Sequence, residues 1–155
     1  MNDSRARLTI LYAEDDEDDR LLVAEALAET GLPNDLRFVC DGEELLDYLQ
    51  HQGRYCAPDA APRPGLVLLD LNMPRRDGRD ALRAIRADAA LARIPVVVLT
   101  TSKAEEDIAR TYDLGATSYI VKPLSFDRLV EVVRSLAHYW FDIVELPPHG
   151  RKNRP

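Results

Sequence analysis

The sequence predicts a doubly wound α/β domain in which five parallel strands alternate with five helices. Short apolar runs alternate five times with segments whose apolar residues recur at helical spacing, as in successive β–α units. Two of these runs, Leu66–Leu69 and Ile94–Leu99, are apolar throughout, which favours central strands covered by helices on both faces. Acidic, hydroxyl or amino side chains follow four of the strands, as expected where a ligand binds at the carboxyl edge of a parallel sheet.

The first half of the chain supplies two strand–helix pairs and a loop. Gly31 and Pro33 end the first helix, because glycine accepts a left-handed cap and proline cannot continue the hydrogen-bond ladder. Three prolines and a glycine make the stretch before the third strand too broken for regular structure, which predicts an exposed loop. The predicted elements are a strand at 8–13, a helix at 17–29, a strand at 36–40, a helix at 43–51 and the loop at 52–64.

The second half continues the alternation. Its helices are predicted from apolar residues at three- and four-residue spacing, and its strands from short apolar or β-branched runs. The predicted elements are a strand at 66–69, a helix at 78–91, a strand at 94–99, a helix at 103–113, a strand at 117–121 and a helix at 125–142.

Length and composition exclude several functional classes. The 155 residues fit one domain, predicted at 1–146 with an aromatic C-terminal extension, and leave 147–155 as a disordered tail. The net charge of −7 disfavours a nucleic-acid partner. No apolar run approaches the roughly 20 residues that span a bilayer, so we expect a cytoplasmic protein without a membrane role. Cys40 and Cys56 lack metal-ligand spacing, and we expect two free, buried or half-buried thiols.

The residues that follow the strands form a chemically coherent set. Glu14-Asp15 follows the first strand, Asp70 the third, Thr100 the fourth and Lys122 the fifth. Because the carboxyl ends of parallel strands share one edge, these side chains are expected to meet. Carboxylates crowded in one cleft recruit a divalent cation, and Mg²⁺ prefers such hard oxygen ligands. The set contains a carboxylate acceptor, an acidic metal cup, a hydroxyl and an ammonium, which are the groups that phosphoryl transfer needs.

Each residue alone also has a purely structural explanation. Asp70 could cap a turn, and the acidic run 14–19 could be a solvated first helical turn, which the helix dipole favours. Thr100 could be a cap and Lys122 a surface charge. Their occurrence together at four strand ends favours the chemical interpretation, although Asp16 to Asp19 still fit a solvated turn.

Taken together, these residues resemble the receiver domain of bacterial two-component response regulators. The resemblance runs from about Leu8 to Leu136 and rests on Glu14-Asp15, Asp70 with Asn72-Met73-Pro74, Thr100, and Tyr119-Ile120-Val121-Lys122-Pro123. Thr100 and Lys122 lie 30 and 52 residues after Asp70, as in that family.

The resemblance implies a fold, a reaction and a metal site. The fold would be flavodoxin-like, with strand order 2-1-3-4-5. Asp70 would accept a phosphoryl group from a phosphohistidine of a sensor histidine kinase. Asp15, Asp70 and the backbone carbonyl of Asn72 would bind Mg²⁺, with Glu14 acting through water. The protein would signal by a phosphorylation-dependent change of its binding surface, rather than act as an enzyme.

The resemblance also implies a switch and a backbone feature. Thr100 and Tyr119 would rearrange together on phosphorylation, and the Lys122-Pro123 bond would be cis. Two residues depart from the commonest receiver pattern. Glu14 replaces an aspartate and adds a methylene at the metal cup, which would alter the metal affinity. Thr101 replaces a smaller residue on the route by which water would reach the phosphoryl group, and so would affect the lifetime of the phosphorylated state.

A narrower resemblance concerns the small stand-alone regulators that accompany phytochrome-type histidine kinases. It rests on the proline-rich loop before the third strand, on Thr100-Thr101-Ser102 and on the terminal aromatic segment. It implies a phytochrome-type kinase as partner, and a homodimer through the fourth helix, fifth strand, fifth helix and C-terminal extension. The terminal aromatic residues could complete the core, but large apolar residues beyond what one helix face can bury commonly mark an interface. We favour an interface at Tyr139, Trp140 and Phe141.

Two other functions remain as alternatives. A phosphatase with an aspartyl nucleophile also forms an aspartyl phosphate after a strand, but such enzymes typically carry a second acid two residues later, where this chain has Asn72. The other alternative is a receiver-like scaffold that works without phosphorylation, which the complete acceptor set disfavours.

Overall fold

A computed structural model describes residues 8–57 and 59–140. Within them, five parallel strands form one sheet in the order β2-β1-β3-β4-β5, with α-helices between successive strands and after the last. The elements are β1 (Leu8–Ala13), α1 (Glu17–Thr30), β2 (Asn34–Val39), α2 (Gly42–Gln50), a 3₁₀ turn (Gly53–Tyr55), β3 (Leu66–Leu69), α3 (Gly78–Ala87), β4 (Val96–Thr100), α4 (Glu105–Asp113), β5 (Ser118–Val121) and α5 (Phe126–His138). The predicted fold class and strand order are confirmed.

The strand order places a crevice at the carboxyl ends of β1 and β3. The chain runs from β1 outward to β2, then returns across β1 to β3, so the winding direction reverses between these two neighbours. Ala13 pairs with Leu69 at the ends of the two strands, and the Asp70 amide donates to the Ala13 carbonyl over 3.1 Å. The residues that follow β1 and β3 therefore emerge side by side.

Two hydrophobic cores cover the two faces of the sheet. The core under α2 and α3 includes Leu45, Leu82 and Ile85. The core under α1 and α5 includes Val23 and Leu129. Every residue of β3 and β4 is buried, as the uninterrupted apolar runs predicted. The strand ends that carry the polar residues are thus fixed from both sides.

The helices differ in how firmly they are packed. Helix α3 buries four residues, whereas α4 buries only Thr111. Polar contacts hold α4 instead: Arg79 of α3 pairs with Asp107 over 3.2 Å, and Asp107 accepts a hydrogen bond from the Ser102 hydroxyl at 2.7 Å. These two contacts attach the first turn of α4 to α3 and to the segment that precedes α4.

Gly78 begins α3 where the helix approaches the backbone after β3. A Cβ atom at this position would lie 2.6 Å from the Asp70 carbonyl oxygen and 2.8 Å from the Leu71 Cα. The Gly78 amide donates to the Leu71 carbonyl over 3.0 Å, while the Asp77 side chain caps the helix. Glycine is needed here for close approach, because any side chain would push α3 away from Asp70.

Some predicted boundaries shift for local reasons. Helix α3 ends at Ala87, not at residue 91, because Asp88 leaves the helical conformation and its side chain accepts from the Ala90 amide. Strand β4 begins after Pro95, which has no amide proton for the sheet. Strand β2 occupies Asn34–Val39 rather than 36–40, because residues 34 and 35 already pair with β1.

The loop between α2 and β3 is better anchored than its composition predicts. Tyr55 is buried, and its hydroxyl donates to a Glu44 carboxylate oxygen of α2. The Tyr48 hydroxyl donates to the Pro62 carbonyl over 2.8 Å. The prediction of an exposed loop is therefore wrong for its aromatic residue. Cys40 and Cys56 are free as expected, but both are exposed rather than buried.

No helix within residues 8–57 and 59–140 combines the length and apolarity that a membrane crossing demands. The predicted C-terminal extension beyond residue 140, including Phe141, and the predicted tail at 147–155 lie outside the described residues.

Candidate functional site

Asp70 lies immediately after β3, where the sheet ends. It is 6% exposed, and its Oδ1 accepts a hydrogen bond from the Asn72 amide at 3.3 Å. The side chain is thus held by the turn that follows it, and only a small part of its surface is exposed. This placement suits a carboxylate that must keep a fixed orientation at the crevice.

The structure brings three of the predicted acidic residues together. Glu14, Asp15 and Asp70 each offer a carboxylate oxygen, and these oxygens all lie within 4.8 Å of one another. Asp15 is exposed, whereas Glu14 and Asp70 are buried. Three clustered carboxylates without thiolate or imidazole are a donor set for a hard divalent cation. The residues present therefore fit a divalent metal, and the Asn72 carbonyl remains a predicted further ligand.

Glu14 is the most deeply buried acid of the site, with 1% of its surface exposed. Its Oε1 accepts hydrogen bonds from the Tyr12 hydroxyl at 3.1 Å and from the Lys122 ammonium at 2.5 Å, while Oε2 accepts from the Asp16 amide at 3.2 Å. Burial raises the pKa of Glu14 to about 7; the hydrogen bond from Lys122 opposes this rise, and the charge of Asp70 adds to it. With its oxygens engaged by protein donors, Glu14 suits an indirect role at a metal.

Lys122 follows β5 and carries the cation of the site. Its Nζ donates to Glu14 and, at 2.8 Å, to Asp19 Oδ2, and it lies 3.6 Å from Asp70 Oδ2. Burial lowers the pKa of Lys122, but the hydrogen bonds to Asp19 and Glu14 outweigh this effect and raise it above its usual value. The ammonium therefore remains charged and balances the buried carboxylates.

The predicted cis Lys122-Pro123 bond is wrong for this structure, which contains no cis peptide bond among the described residues. The trans form is the more stable state of an X-Pro bond by about 0.5–1 kcal/mol. The Lys122 side chain reaches its acidic partners in that form.

Thr100 is the last residue of β4 and is fully buried. Its Oγ1 has no hydrogen-bond partner within the described part of the chain. An unpaired buried hydroxyl costs roughly 1–3 kcal/mol, so it is usually retained for a reason. Here the hydroxyl lies at the sheet edge that carries the acidic cluster, where it could donate a hydrogen bond to a bound ligand. The Lys122 amide donates to the Thr100 carbonyl over 2.7 Å, so the two residues share one backbone connection.

Tyr119 of β5 is half-buried and contacts the segment after β4. Its hydroxyl donates to the Ser102 carbonyl at 3.0 Å, and its amide donates to the Tyr112 hydroxyl at 3.1 Å. Tyr119 thus joins the residues following Thr100 to the end of α4. A coupled movement of Thr100 and Tyr119 stays a prediction.

Asp19 belongs to this site, although its acidic neighbourhood suggested only a solvated turn. It lies in the first turn of α1 and hydrogen-bonds the Lys122 ammonium. Helical spacing gave a usable signal, because Asp19 precedes the buried residues Val23, Ala26 and Leu27 by four, seven and eight positions. An acid on the apolar stripe of a helix indicates a buried cationic partner.

The predicted aromatic interface divides into two environments. Tyr139 is 50% exposed, whereas Trp140 is 7% exposed and belongs to the core under α1 and α5. Trp140 therefore contributes to the core of the protomer, and its part in an interface stays a prediction. Only Tyr139 of the described pair presents a ring at the surface.

The fold and the acidic cleft define a receiver domain, and comparison with known proteins agrees. The chain belongs to the response regulator receiver domain family, whose model matches residues 10–134.

Its relatives within the family include regulators of light signalling. The chain is 38% identical to response regulator Rcp1 of Synechocystis sp. over 146 residues, covering 94% of this chain and 97% of Rcp1. It is 40% identical to the phosphorylated cyanobacterial phytochrome response regulator RcpA, with a TM-score of 0.85 and coverage of 92% and 100%. Response regulator RPA3017 in red light signalling of R. palustris is 42% identical, with a TM-score of 0.86 and coverage of 91% and 99%.

A related structure bears on the metal. The Mn²⁺-bound form of Rcp1 is 39% identical to this chain, with a TM-score of 0.83 and coverage of 91% and 99%. A divalent metal thus accompanies a relative of this chain, in agreement with the donor set formed by Glu14, Asp15 and Asp70.

Proposed function

We propose that this protein accepts a phosphoryl group on Asp70 from a sensor histidine kinase, and that it signals by a phosphorylation-dependent change of its binding surface. The observation that carries the proposal is the position of the Asp70 carboxylate, which lies beside Asp15 and 3.6 Å from the Lys122 ammonium. These are an acceptor, a metal ligand and a counter-charge in one cleft.

The chain's own residues suit each part of the transfer. An Asp70 oxygen forms the new bond to phosphorus as the bond from phosphorus to the kinase imidazole nitrogen breaks, leaving a neutral imidazole after proton uptake. Lys122 balances charge on the phosphoryl oxygens, and Thr100 donates its otherwise unpartnered hydroxyl to one of them. Movement of Thr100 then reaches Tyr119 through the segment that contains Ser102, whose carbonyl the Tyr119 hydroxyl contacts.

We propose Mg²⁺ as the physiological metal, held by Asp15, Asp70 and the Asn72 carbonyl, with Glu14 acting through water. When bound, the metal neutralises charge on the transferring phosphoryl group and keeps the acceptor ionised. The all-oxygen donor set supports this choice over zinc.

The kinase is proposed to be of the phytochrome type, acting in the cytoplasm. Support comes from the phytochrome and red-light regulators that resemble this chain over nearly its whole length. The acidic net charge of −7 supports signalling to protein partners rather than to nucleic acid.

The phosphatase alternative lacks a general acid. Asn72 occupies the position two residues after the nucleophile, and an amide cannot protonate a leaving alcohol. We therefore propose a phosphoacceptor that transfers and slowly hydrolyses its own phosphoryl group, rather than an enzyme that turns over small phosphate esters.

The first test is whether wild-type protein forms an acyl phosphate in a metal-dependent way. Incubation with acetyl phosphate and Mg²⁺ should give one phosphoryl adduct by intact-mass spectrometry, and a chelator should prevent it. Hydroxylamine should remove the adduct, because it cleaves acyl phosphates but not phosphate esters of serine or threonine. If a cognate phosphorylated histidine kinase also leaves the folded protein unlabelled, the scaffold alternative replaces this proposal.

We also propose a homodimer through α4, β5, α5 and the C-terminal extension. Large apolar side chains are exposed along this face, including Tyr112, Leu124 and Tyr139. Leu124 is fully exposed between β5 and α5, so its whole side chain is open to contact with a second protomer.

The dimer is tested by Leu124→Asp, which should shift the sedimentation profile toward monomer. A charge at a desolvated contact has no partner, so association should weaken. Leu21→Asp is the control, because Leu21 is exposed on α1 and lies outside the proposed face. A dimer that survives Leu124→Asp, or a protein that is monomeric before and after phosphorylation, contradicts the proposed interface.

A further inference from the structure

Two of the three N–H groups of the Lys122 ammonium donate hydrogen bonds. One hydrogen bond goes to Glu14 Oε1 at 2.5 Å and another to Asp19 Oδ2 at 2.8 Å, whereas Asp70 Oδ2 lies at 3.6 Å. With a single hydrogen bond, movement of the flexible lysine side chain would still change the orientation of the ammonium. A second bond in another direction fixes the orientation, and so fixes where the third N–H points.

Packing alone does not hold the ammonium. A cavity of about 50 Å³ adjoins Lys122 and Asp19 and is otherwise lined mainly by apolar side chains, including Leu22, Leu99 and Leu129. This space would admit movement of the lysine side chain if one of its hydrogen bonds were lost. Asp19 stands at the cavity wall, in the first turn of α1, and closes off that movement through its contact with Lys122.

We propose that Asp19 is a positioning residue for phosphoryl transfer, which orients the Lys122 ammonium so that its third N–H serves Asp70 and the incoming phosphoryl group. This inference rests on the proposed function and adds a residue to it. Glu14, just after β1, and Asp19 of α1 hold the ammonium, and Asp70, just after β3, supplies the reacting atom. Asp19 thus acts through Lys122 and does not touch the phosphoryl group.

The test compares Asp19→Ala with Asp19→Asn, using Asp18→Ala as the matched control. Asp18 is the exposed neighbour in the same helical turn, so its replacement removes the same charge without removing a ligand of Lys122. Initial rates of phosphorylation are measured against acetyl phosphate concentration at saturating Mg²⁺, with thermal unfolding of each variant. Acetic anhydride labelling of Lys122, relative to exposed Lys103, reports the contact without any phosphorylation.

We expect Asp19→Ala to lower the maximal rate about tenfold while leaving the half-saturating concentration of acetyl phosphate unchanged, because a misdirected donor affects the transition state rather than binding. Asp19→Asn should retain most of the rate, since its amide oxygen still accepts from the ammonium. Labelling of Lys122 should rise in Asp19→Ala and stay low in Asp18→Ala.

Other outcomes overturn the proposal. If Asp19→Ala and Asp19→Asn were both phosphorylated faster than wild type, by the same factor, Asp19 would have a purely electrostatic role. If Asp18→Ala slowed phosphorylation as much as Asp19→Ala, the effect would be a general one of charge. Increased Lys122 labelling with an unchanged maximal rate would establish the contact but remove its role in transfer. Absence of phosphorylation in wild type, with Lys122 still protected by Asp19, would overturn the proposed function itself and this role with it.

Discussion

Asp70→Asn should abolish the hydroxylamine-sensitive phosphoryl adduct, whether the donor is acetyl phosphate or a phosphorylated histidine kinase. The substitution preserves the size of the side chain but replaces an anionic oxygen with an amide that cannot attack phosphorus. The variant should remain folded and unfold at the wild-type temperature or above, because it removes the repulsion between two buried carboxylates, Asp70 and Glu14.

Asp80→Asn is the matched control for this experiment. Asp80 is exposed on α3 and contacts Arg83 over 3.0 Å, so its replacement makes the same chemical change outside the cleft. Intact-mass spectrometry should show wild-type labelling in Asp80→Asn. A hydroxylamine-sensitive adduct that persists in Asp70→Asn would place the acceptor on another carboxylate.

Gly78→Ala should destabilise the protein by about 3 kcal/mol, because overpacking at a rigid backbone contact forces the structure to move. The added Cβ would meet the Asp70 carbonyl oxygen and the Leu71 Cα, neither of which is the end of a flexible side chain. The urea midpoint should fall without a change in the denaturant slope. Phosphorylation of the remaining folded protein should also slow, because Asp70 is displaced along with its carbonyl.

Arg83→Ala is the control on the same helix. Arg83 is exposed, so its replacement should change the free energy of unfolding by no more than about 0.5 kcal/mol. A wild-type urea midpoint for Gly78→Ala would mean that α3 can move away from β3 at little cost. In that case α3 would not fix the position of Asp70.

Much of the site follows from the sequence because strand ends are easy to find in an α/β chain. Asp70 and Lys122 each follow a short apolar run, and parallel topology then requires them to lie at one edge of the sheet. The sheet order followed from the family resemblance and is confirmed by the structure. No helix boundary needed to be accurate for this inference.

The contacts within the site were harder to predict. Lys122 lies closer to Glu14 and Asp19 than to Asp70. This preference depends on side-chain orientation, which spacing along the chain does not determine. Asp19 lies within a run of acidic residues, which suggested a solvated turn. Its position on the buried face of α1 was the signal that distinguished it from its neighbours. The sequence left burial of Trp140 as one of two alternatives, because it depends on how α5 packs against α1 on that face of the sheet.

The uneven anchoring of the helices determines where a small chemical signal can produce movement. A new hydrogen bond to a charged phosphoryl group is worth about 1.5–3 kcal/mol, which is too little to detach α3 with its four buried residues. Helix α4 buries only Thr111 and otherwise depends on polar contacts that water can replace. The domain thus combines a stiff frame with one weakly attached surface element, and local unfolding measured by hydrogen exchange should be easiest in that element. Such a gradient of local stability lets the protein change its outer shape while the reacting cleft keeps its geometry.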